Sequence, residues 1–191
     1  KTIAQNYDLK AMNTAIQDWD YYMNAEETVP TFFQIWIDML HQKVWSTYLP
    51  NLPITLLPQQ EITMLLIKGV VSQYFWDDKT TPIIENFRTV SLACMQQAVD
   101  SFIVLEKIGK SKWYQYKNTS LSHMAKLDAL GYQTLLNGGW GNILNAMKAN
   151  HGPSWRMIVT FKDNLPYAEV VYPGGQSGNP ASKHYNSFVE T

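Results

Sequence analysis

Cysteine is almost absent from this sequence: Cys94 is the only one among 191 residues. A lone cysteine excludes an internal disulfide and any metal site built on paired thiolates. Charge is sparse as well. Asp, Glu, Lys and Arg together make up 16% of the chain, against about 25% in an average soluble domain. The formal net charge is -1, so no general attraction to nucleic acid or to anionic membrane surfaces is expected. No apolar run reaches the roughly 18 residues of a membrane span, and no signal-peptide pattern opens the chain. There is no internal repeat and no low-complexity tract. The chain begins with Lys1 rather than Met, which reads as a cut site or an artificial boundary.

What is present is apolar and aromatic. Hydrophobic residues account for 46% of the chain, with seven Trp and eleven Tyr. The length suits one domain, or one domain with an appendage. Large apolar side chains combined with few charges predict that part of the surface is covered by more protein.

Helical periodicity dominates the first three quarters. Leu9, Met12, Ile16, Trp19 and Met23 recur at steps of three and four, which predicts one face of a helix capped by Asp8. Next comes "VPTFFQIWIDMLHQKVWSTYL", with Pro30 at a tolerated entry position and an apolar stripe wide enough for burial on more than one side. Pro50, Pro53 and Pro58 mark a connection. A short helix is expected in "QEITMLLIKGVVSQYF", then a turn at "WDDKTTP" with Asp78 and Thr80 as caps. The longest helix follows, ending near Gly109, and a loop with a short helical turn is expected from Asn118 onward.

After about Asn137 the character changes. "SWRMIVTF" and "AEVVYPGG" have strand composition, and "KDNLPY" between them carries turn residues. The expected class is therefore α+β, mainly α: a helical region over 1–136 and a glycine-rich segment with a short antiparallel β tail over 137–191.

The stretch "YPGGQSGNPASKHY", Tyr172 to Tyr185, gathers three glycines, two serines and a histidine. Gly174 and Gly178 do not have phosphate-loop spacing, and no Lys follows Gly178. Around Ser177 the order is G-Q-S-G-N, not the G-x-S-x-G of a nucleophile elbow. A Ser177–His184 dyad requires the loop to fold back on itself. The favoured reading is a multi-turn loop whose glycines take positive φ and whose Gln, Ser and Asn side chains satisfy the backbone. His41, His123, His151 and His184 lack ligand spacing and read as surface or capping residues. Asp77 and Asp78 are adjacent, do not face each other on a helix, and read as caps. Asp18 and Asp20 read as capping or pairing residues beside Trp19. Arg156 stands in an apolar strand, either on a solvent face or in an ion pair. Asn118 opens an N-x-S string that occurs often by chance, and Cys94 reads as a small core residue. No residue is assigned a catalytic, cofactor-binding or metal-binding role.

Three patches carry a resemblance. "GPSWRMIV" with "VVYPGGQSGNPASKHY", "DWDYYMNAEETVPTFFQIWIDML" and "YFWDDKTTPIIEN" together resemble the penicillin acylase family of N-terminal-nucleophile amide hydrolases. That family includes penicillin, cephalosporin and acyl-homoserine lactone acylases. The stretch Trp113 to His123 departs from the family's W-x-W-G-x-x-H pattern.

The resemblance implies that this is the C-terminal part of the large subunit, with residues 137–191 belonging to an αββα core. It implies a serine nucleophile upstream of Lys1, whose own α-amine is the base, so this chain alone is expected to be inactive. Implied partners are the remaining chain of the same precursor and a small-molecule acyl amide, with self-association through exposed strands. No nucleic acid and no membrane span are expected. No cofactor is expected; family members bind calcium at positions not identifiable in this chain. The resemblance also implies periplasmic or secreted localisation. The alternative reading is a non-catalytic helical interaction module that retains the acylase scaffold.

Overall fold

The structure is a computed structural model describing residues 8–123, 125–141, 148–150, 156–171, 175, 177–187 and 189, without the side chains of Ile54, Arg156 and Val171. It is mainly helical, with five α-helices and one two-stranded antiparallel sheet near the end of the chain, as the class α+β, mainly α, requires. The chain divides into two compact units. The first comprises 1–20 and 28–111, the second 21–27 and 112–191.

In the first unit, α1 (Leu9–Gln17) starts at Asp8, whose carboxylate accepts the Ala11 N–H at 2.7 Å. The expected helix through Met23 is cut short. The chain leaves α1 at Asp18, and the buried Trp19 ring packs on Phe33 at 5.2 Å between ring centres. Aspartates favour caps and turns over helix interiors, and "DWD" places two of them at this point. Asp18 and Asp20 are exposed on either side of Trp19.

Helix α2 (Val29–Tyr48) has Pro30 in its first turn and buries ten residues, among them Phe32, Ile37, Leu40 and Trp45. Its main partner is α4 (Phe87–Lys107), and Phe32 meets Phe102 edge to face at 5.9 Å. Between them in sequence comes α3 (Gln60–Ile67), ended by Gly69 at φ 73°. The expected caps for α4 are corrected: Asn86, not Asp78 or Thr80, is the N-cap. Asn86 and Thr89 bond reciprocally, at 3.1 Å from Thr89 N–H to the Asn86 side chain and 3.0 Å from Asn86 N–H to the Thr89 hydroxyl. Gly109 follows α4 at φ 68°, where only a residue without Cβ is unstrained. Cys94 is buried on α4, and burial pushes its thiol pKa up.

Among its described residues the second unit has little regular structure. Its short helix α5 (Trp113–Lys117) lies where no helix was expected. The N–H groups of Trp113 and Tyr114 donate to the carbonyls of Glu27 (2.8 Å) and Ala25 (2.9 Å), which satisfies donors that a helix start leaves open. Gly139 N–H donates to Met23 O at 2.9 Å, and Trp113 Nε1 donates to Gly139 O at 2.8 Å. At Gly138 an added Cβ would meet Met23 O at 2.6 Å, so the backbones touch there.

Strand β1 (Arg156–Lys162) pairs with β2 (Leu165–Val171). The turn is shorter than "KDNLPY" suggests. It is the pair Asp163–Asn164, at φ 51° and 63°, both left-handed as the tight hairpin turn needs. The strands therefore include Leu165 to Tyr167. Met157, Val159 and Phe161 share one face with Pro166, Ala168 and Val170. Every residue from Met157 to Val170 is exposed. Among the described residues no helix is long and apolar enough to cross a membrane.

Replacing Phe102 with Ala removes the ring wedged against Phe32. The expected loss is about 3–5 kcal/mol, whereas Leu92→Ala on the exposed side of α4 is expected to cost under about 1 kcal/mol. Urea unfolding followed by circular dichroism measures both.

Candidate functional site

The glycine-rich loop is a chain of side chain–capped turns. Ser177 Oγ accepts Asn179 N–H at 3.1 Å, Asn179 Oδ1 accepts Ala181 N–H at 3.0 Å, and Ser182 Oγ accepts His184 N–H at 3.2 Å. The ends of the loop are brought together by Ser177 N–H donating to His184 O at 3.1 Å. Ser177 and His184 thus meet through their backbones. No hydrogen bond links the Ser177 hydroxyl to the His184 ring among the described residues, and His184 is exposed. The turn chemistry is as expected, but the glycine argument changes. Gly175 matters through contact, since a Cβ there would lie 2.1 Å from Tyr185 O and 2.3 Å from His184 O. Gly178 has open space around it and no positive φ. Gly174 and His151 lie outside the described residues.

Tyr185 anchors the loop. Its hydroxyl donates to Leu130 O at 2.5 Å, and its ring lies 6.4 Å from His123 and 6.3 Å from Tyr132. His123 Nδ1 accepts Ala125 N–H at 3.2 Å. Two of the histidines singled out in the sequence therefore belong to one structural assembly. Asn118 closes α5 at φ 51°, and its side chain accepts the Thr134 hydroxyl at 2.7 Å. Arg156 heads β1, and its side chain is outside the described set.

Asp77 caps the 3-10 turn Gln73–Trp76 at its C-terminal end through its backbone, its N–H donating to Tyr74 O at 3.2 Å, while neither carboxylate caps α4. They clamp a loop. Asp77 Oδ1 accepts Glu85 N–H at 2.9 Å, and Asp78 N–H donates to Glu85 Oε2 at 3.0 Å. Asp78 Oδ1 also accepts Thr80 N–H (3.0 Å) and the Thr80 hydroxyl (2.6 Å), while Lys43 pairs with Asp78 Oδ2 at 3.3 Å and Lys79 pairs with Asp77. The Lys79 bond and the Glu85 N–H hold the Asp77 carboxyl below the usual carboxylate range. The Thr80 bonds, followed by Lys43, do the same for Asp78. Carboxylates held ionised by donors are poor general acids. The cleft beside them, lined by Lys43, Phe75, Trp76 and Glu85, has no more room than a water molecule needs.

A polar seam along α2 escaped the sequence reading. Gln34 Nε2 donates to Asp38 Oδ1 at 2.8 Å, and Gln60 of α3 donates to the same oxygen. One turn on, fully buried Thr63 accepts Trp45 Nε1–H at 2.8 Å and lies 2.8 Å from His41 Nδ1. The Thr63 hydroxyl has one proton to donate and two lone pairs that accept, so the direction of its bond to His41 Nδ1 follows the ring's tautomer. Burial lowers the His41 pKa against the opposing pull of Glu61. Burial also raises the Asp38 pKa against the two amide bonds. His41 is half-buried between helices, which corrects its reading as a surface residue. The signal was visible: Gln34, Asp38, His41 and Trp45 recur at steps of four, three and four.

Lys117 was also missed. It is buried, and its amine donates to the carbonyls of Asn137 (3.0 Å) and Gly138 (2.6 Å). Burial lowers its pKa to about 8. Among the described residues no group of three His, Cys, Asp or Glu side chains can hold a metal ion. Each of the polar groups above is committed to holding chain segments together.

Two outcomes are expected. Gly175→Ala forces apart the ends of the loop and is expected to destabilise the second unit by about 2–4 kcal/mol, read by thermal melting, with Gly178→Ala near neutral. Lys117 sheds its proton near pH 8 when folded and near 10.5 when unfolded. The unfolded state therefore binds more protons in that window, and stability rises with pH across it. In urea melts, Lys117→Met is expected to abolish this part of the rise between pH 8 and 10.5.

Comparison with known proteins gives the context for these assemblies. The family model for penicillin amidase matches residues 3–191. A curated relative, the acyl-homoserine lactone acylase QuiP of Pseudomonas putida strain KT2440, is 29% identical over 133 residues. That alignment covers 61% of this chain and 16% of the relative, so the chain corresponds to a small part of the relative's length. With the match running over nearly every residue, the chain belongs to the penicillin amidase family.

Proposed function

We propose that this chain acts as the C-terminal part of the large subunit of an N-terminal-nucleophile acylase that hydrolyses an acyl amide. The family match over residues 3–191 is the observation that carries this reading. It is supported by the commitment of Ser177, His184, Asp77 and Asp78 to turn and clamp bonds, which leaves the nucleophile to be supplied by the remaining chain of the same precursor. In that mechanism a serine at a chain start attacks the amide carbonyl while its own α-amine takes the hydroxyl proton; that proton passes to the amine, which leaves as the C–N bond breaks, and water then hydrolyses the resulting ester to the carboxylic acid and the free serine. An α-amine with an ordinary pKa of about 8 suits that task near neutral pH. The substrate class is an acyl-homoserine lactone or a penicillin- or cephalosporin-type amide with an apolar or aromatic acyl group. The relative's name favours the first of these. Periplasmic or secreted localisation belongs to the same reading, as does the absence of a cofactor.

The test begins with intact mass and N-terminal sequencing of every chain in the protein purified from its source, followed by hydrolysis assays on acyl amides. The expected result is a serine-led chain containing this segment and an active protein. Ser177→Ala is expected to leave the rate within about twofold, because its hydroxyl only accepts a turn hydrogen bond. Loss of activity in that variant, or a native chain that begins at Lys1 with no serine-led partner, overturns the proposal.

A further inference from the structure

Asn137–Gly138 is the only Asn-Gly pair in the chain. The pair carries reactivity of its own. Glycine places no side chain over its nitrogen, which can attack the carboxamide carbon of the asparagine before it. An N–Cγ bond forms, the side-chain nitrogen leaves as ammonia with the Gly138 amide proton, and a cyclic imide remains. Water then opens the imide at either carbonyl, leaving aspartate or isoaspartate. Nothing is oxidised or reduced, and water is the only co-reactant. The reacting groups are unanchored. Asn137 Oδ1 is buried and has no hydrogen-bond partner among the described residues, and none of them accepts the Gly138 N–H. The backbone around them is pinned. The buried Lys117 amine donates to Asn137 O at 3.0 Å and to Gly138 O at 2.6 Å. Gly139 N–H donates to Met23 O at 2.9 Å, and a Cβ on Gly138 would meet that same oxygen at 2.6 Å.

The imide closes only at an asparagine ψ that lies between the broad allowed regions. Reaching it turns the Asn137 carbonyl about its Cα–C bond and takes the oxygen off the Lys117 amine. We propose that Asn137 is a self-modification site, converted to aspartate or isoaspartate through attack by the Gly138 nitrogen, and that Lys117 is the tether that withholds this conversion while the second unit is closed. Hydrogen bonds from a charged donor are among the stronger ones, and here one amine holds both carbonyls that flank the attacking nitrogen. Either product sets a new carboxylate beside that amine. Isoaspartate also adds a methylene to the backbone at the point where Gly138 presses on Met23 O. The reaction does not reverse, so it records each molecule whose second unit has opened.

Peptide mapping with isoaspartate labelling tests this on the complete protein, held for days at neutral pH beside the same protein in urea. In urea Asn137 is expected to convert faster than any other asparagine of this chain. In the folded protein it is expected to convert at least about tenfold more slowly than in urea, and Lys117→Met is expected to recover most of that difference. Gly175→Ala loosens the same unit but leaves Lys117 in place. With urea added to match the folded fractions of the two variants, Gly175→Ala is expected to convert at least about threefold more slowly than Lys117→Met. Lys117→Arg keeps a charged donor and is expected to retain the slow rate; it decides the matter where Lys117→Met does not fold. Conversion of the folded wild type at the urea rate, a stable Asn137 in urea, or a folded Lys117→Met as slow as the wild type overturns the proposal. So do equal rates in the two matched variants and fast conversion in a folded Lys117→Arg.

Discussion

The contact between α2 and α4, with Phe32 set edge-on against Phe102, is the constraint on which the first unit depends. Helix α2 buries half of its length and cannot exist with one apolar side alone. It takes α4 on one flank and the polar seam to α3 on another. The aromatic rings of Trp36, Trp45, Phe75 and Trp76 fill the angles between these helices. Burial of this kind explains how a chain with so few charges holds a stable helical unit, since apolar area removed from water is the dominant favourable term. It also explains the seam. A helix buried on several sides has to bury some polar residues, and these are tolerated because Asp38, His41 and Thr63 find partners on the same two helices.

The second unit uses another principle. Its described residues form the short helix α5, a 3-10 turn at Asp128–Leu130, a hairpin and irregular stretches, so their backbone groups are satisfied piecemeal. Carbonyls at positions 23, 25 and 27 accept from Gly139, Tyr114 and Trp113, and the Lys117 amine donates to the carbonyls of Asn137 and Gly138. The glycine-rich loop repeats this on a smaller scale, with Ser177, Asn179 and Ser182 each bonding a backbone N–H two residues ahead. Gly138 and Gly175 are the points where two backbones come too close for any side chain.

Long periodic helices were legible in the sequence because 3.6-residue spacing and caps are local. Asp8, Pro30 and Gly109 mark ends that the structure keeps. The strands were legible from β-branched and aromatic composition, though not the exact turn, because Asp163–Asn164 differs little in sequence from a longer loop. The end of α1 at Gln17 was masked by Trp19, which continues the helical spacing; the aspartates on either side of it were the local sign of the break, and its packing on Phe33 fixes it. Among the polar candidates, turn-forming roles could be read from residue type. Partners distant in sequence could not. Glu85 as the counterpart of Asp77 and Asp78, Gln60 as that of Asp38, and Asn137 with Gly138 as those of Lys117 are set by tertiary packing, and local spacing carries no trace of them.

The single cysteine has a practical consequence. Cys94 is buried on the α4 side of the first core, with a thiol that its surroundings keep protonated. A thiol reagent reaches it when the two long helices part, and burial disfavours the thiolate until then. The chain thus carries a native stopwatch for the breathing of the first unit.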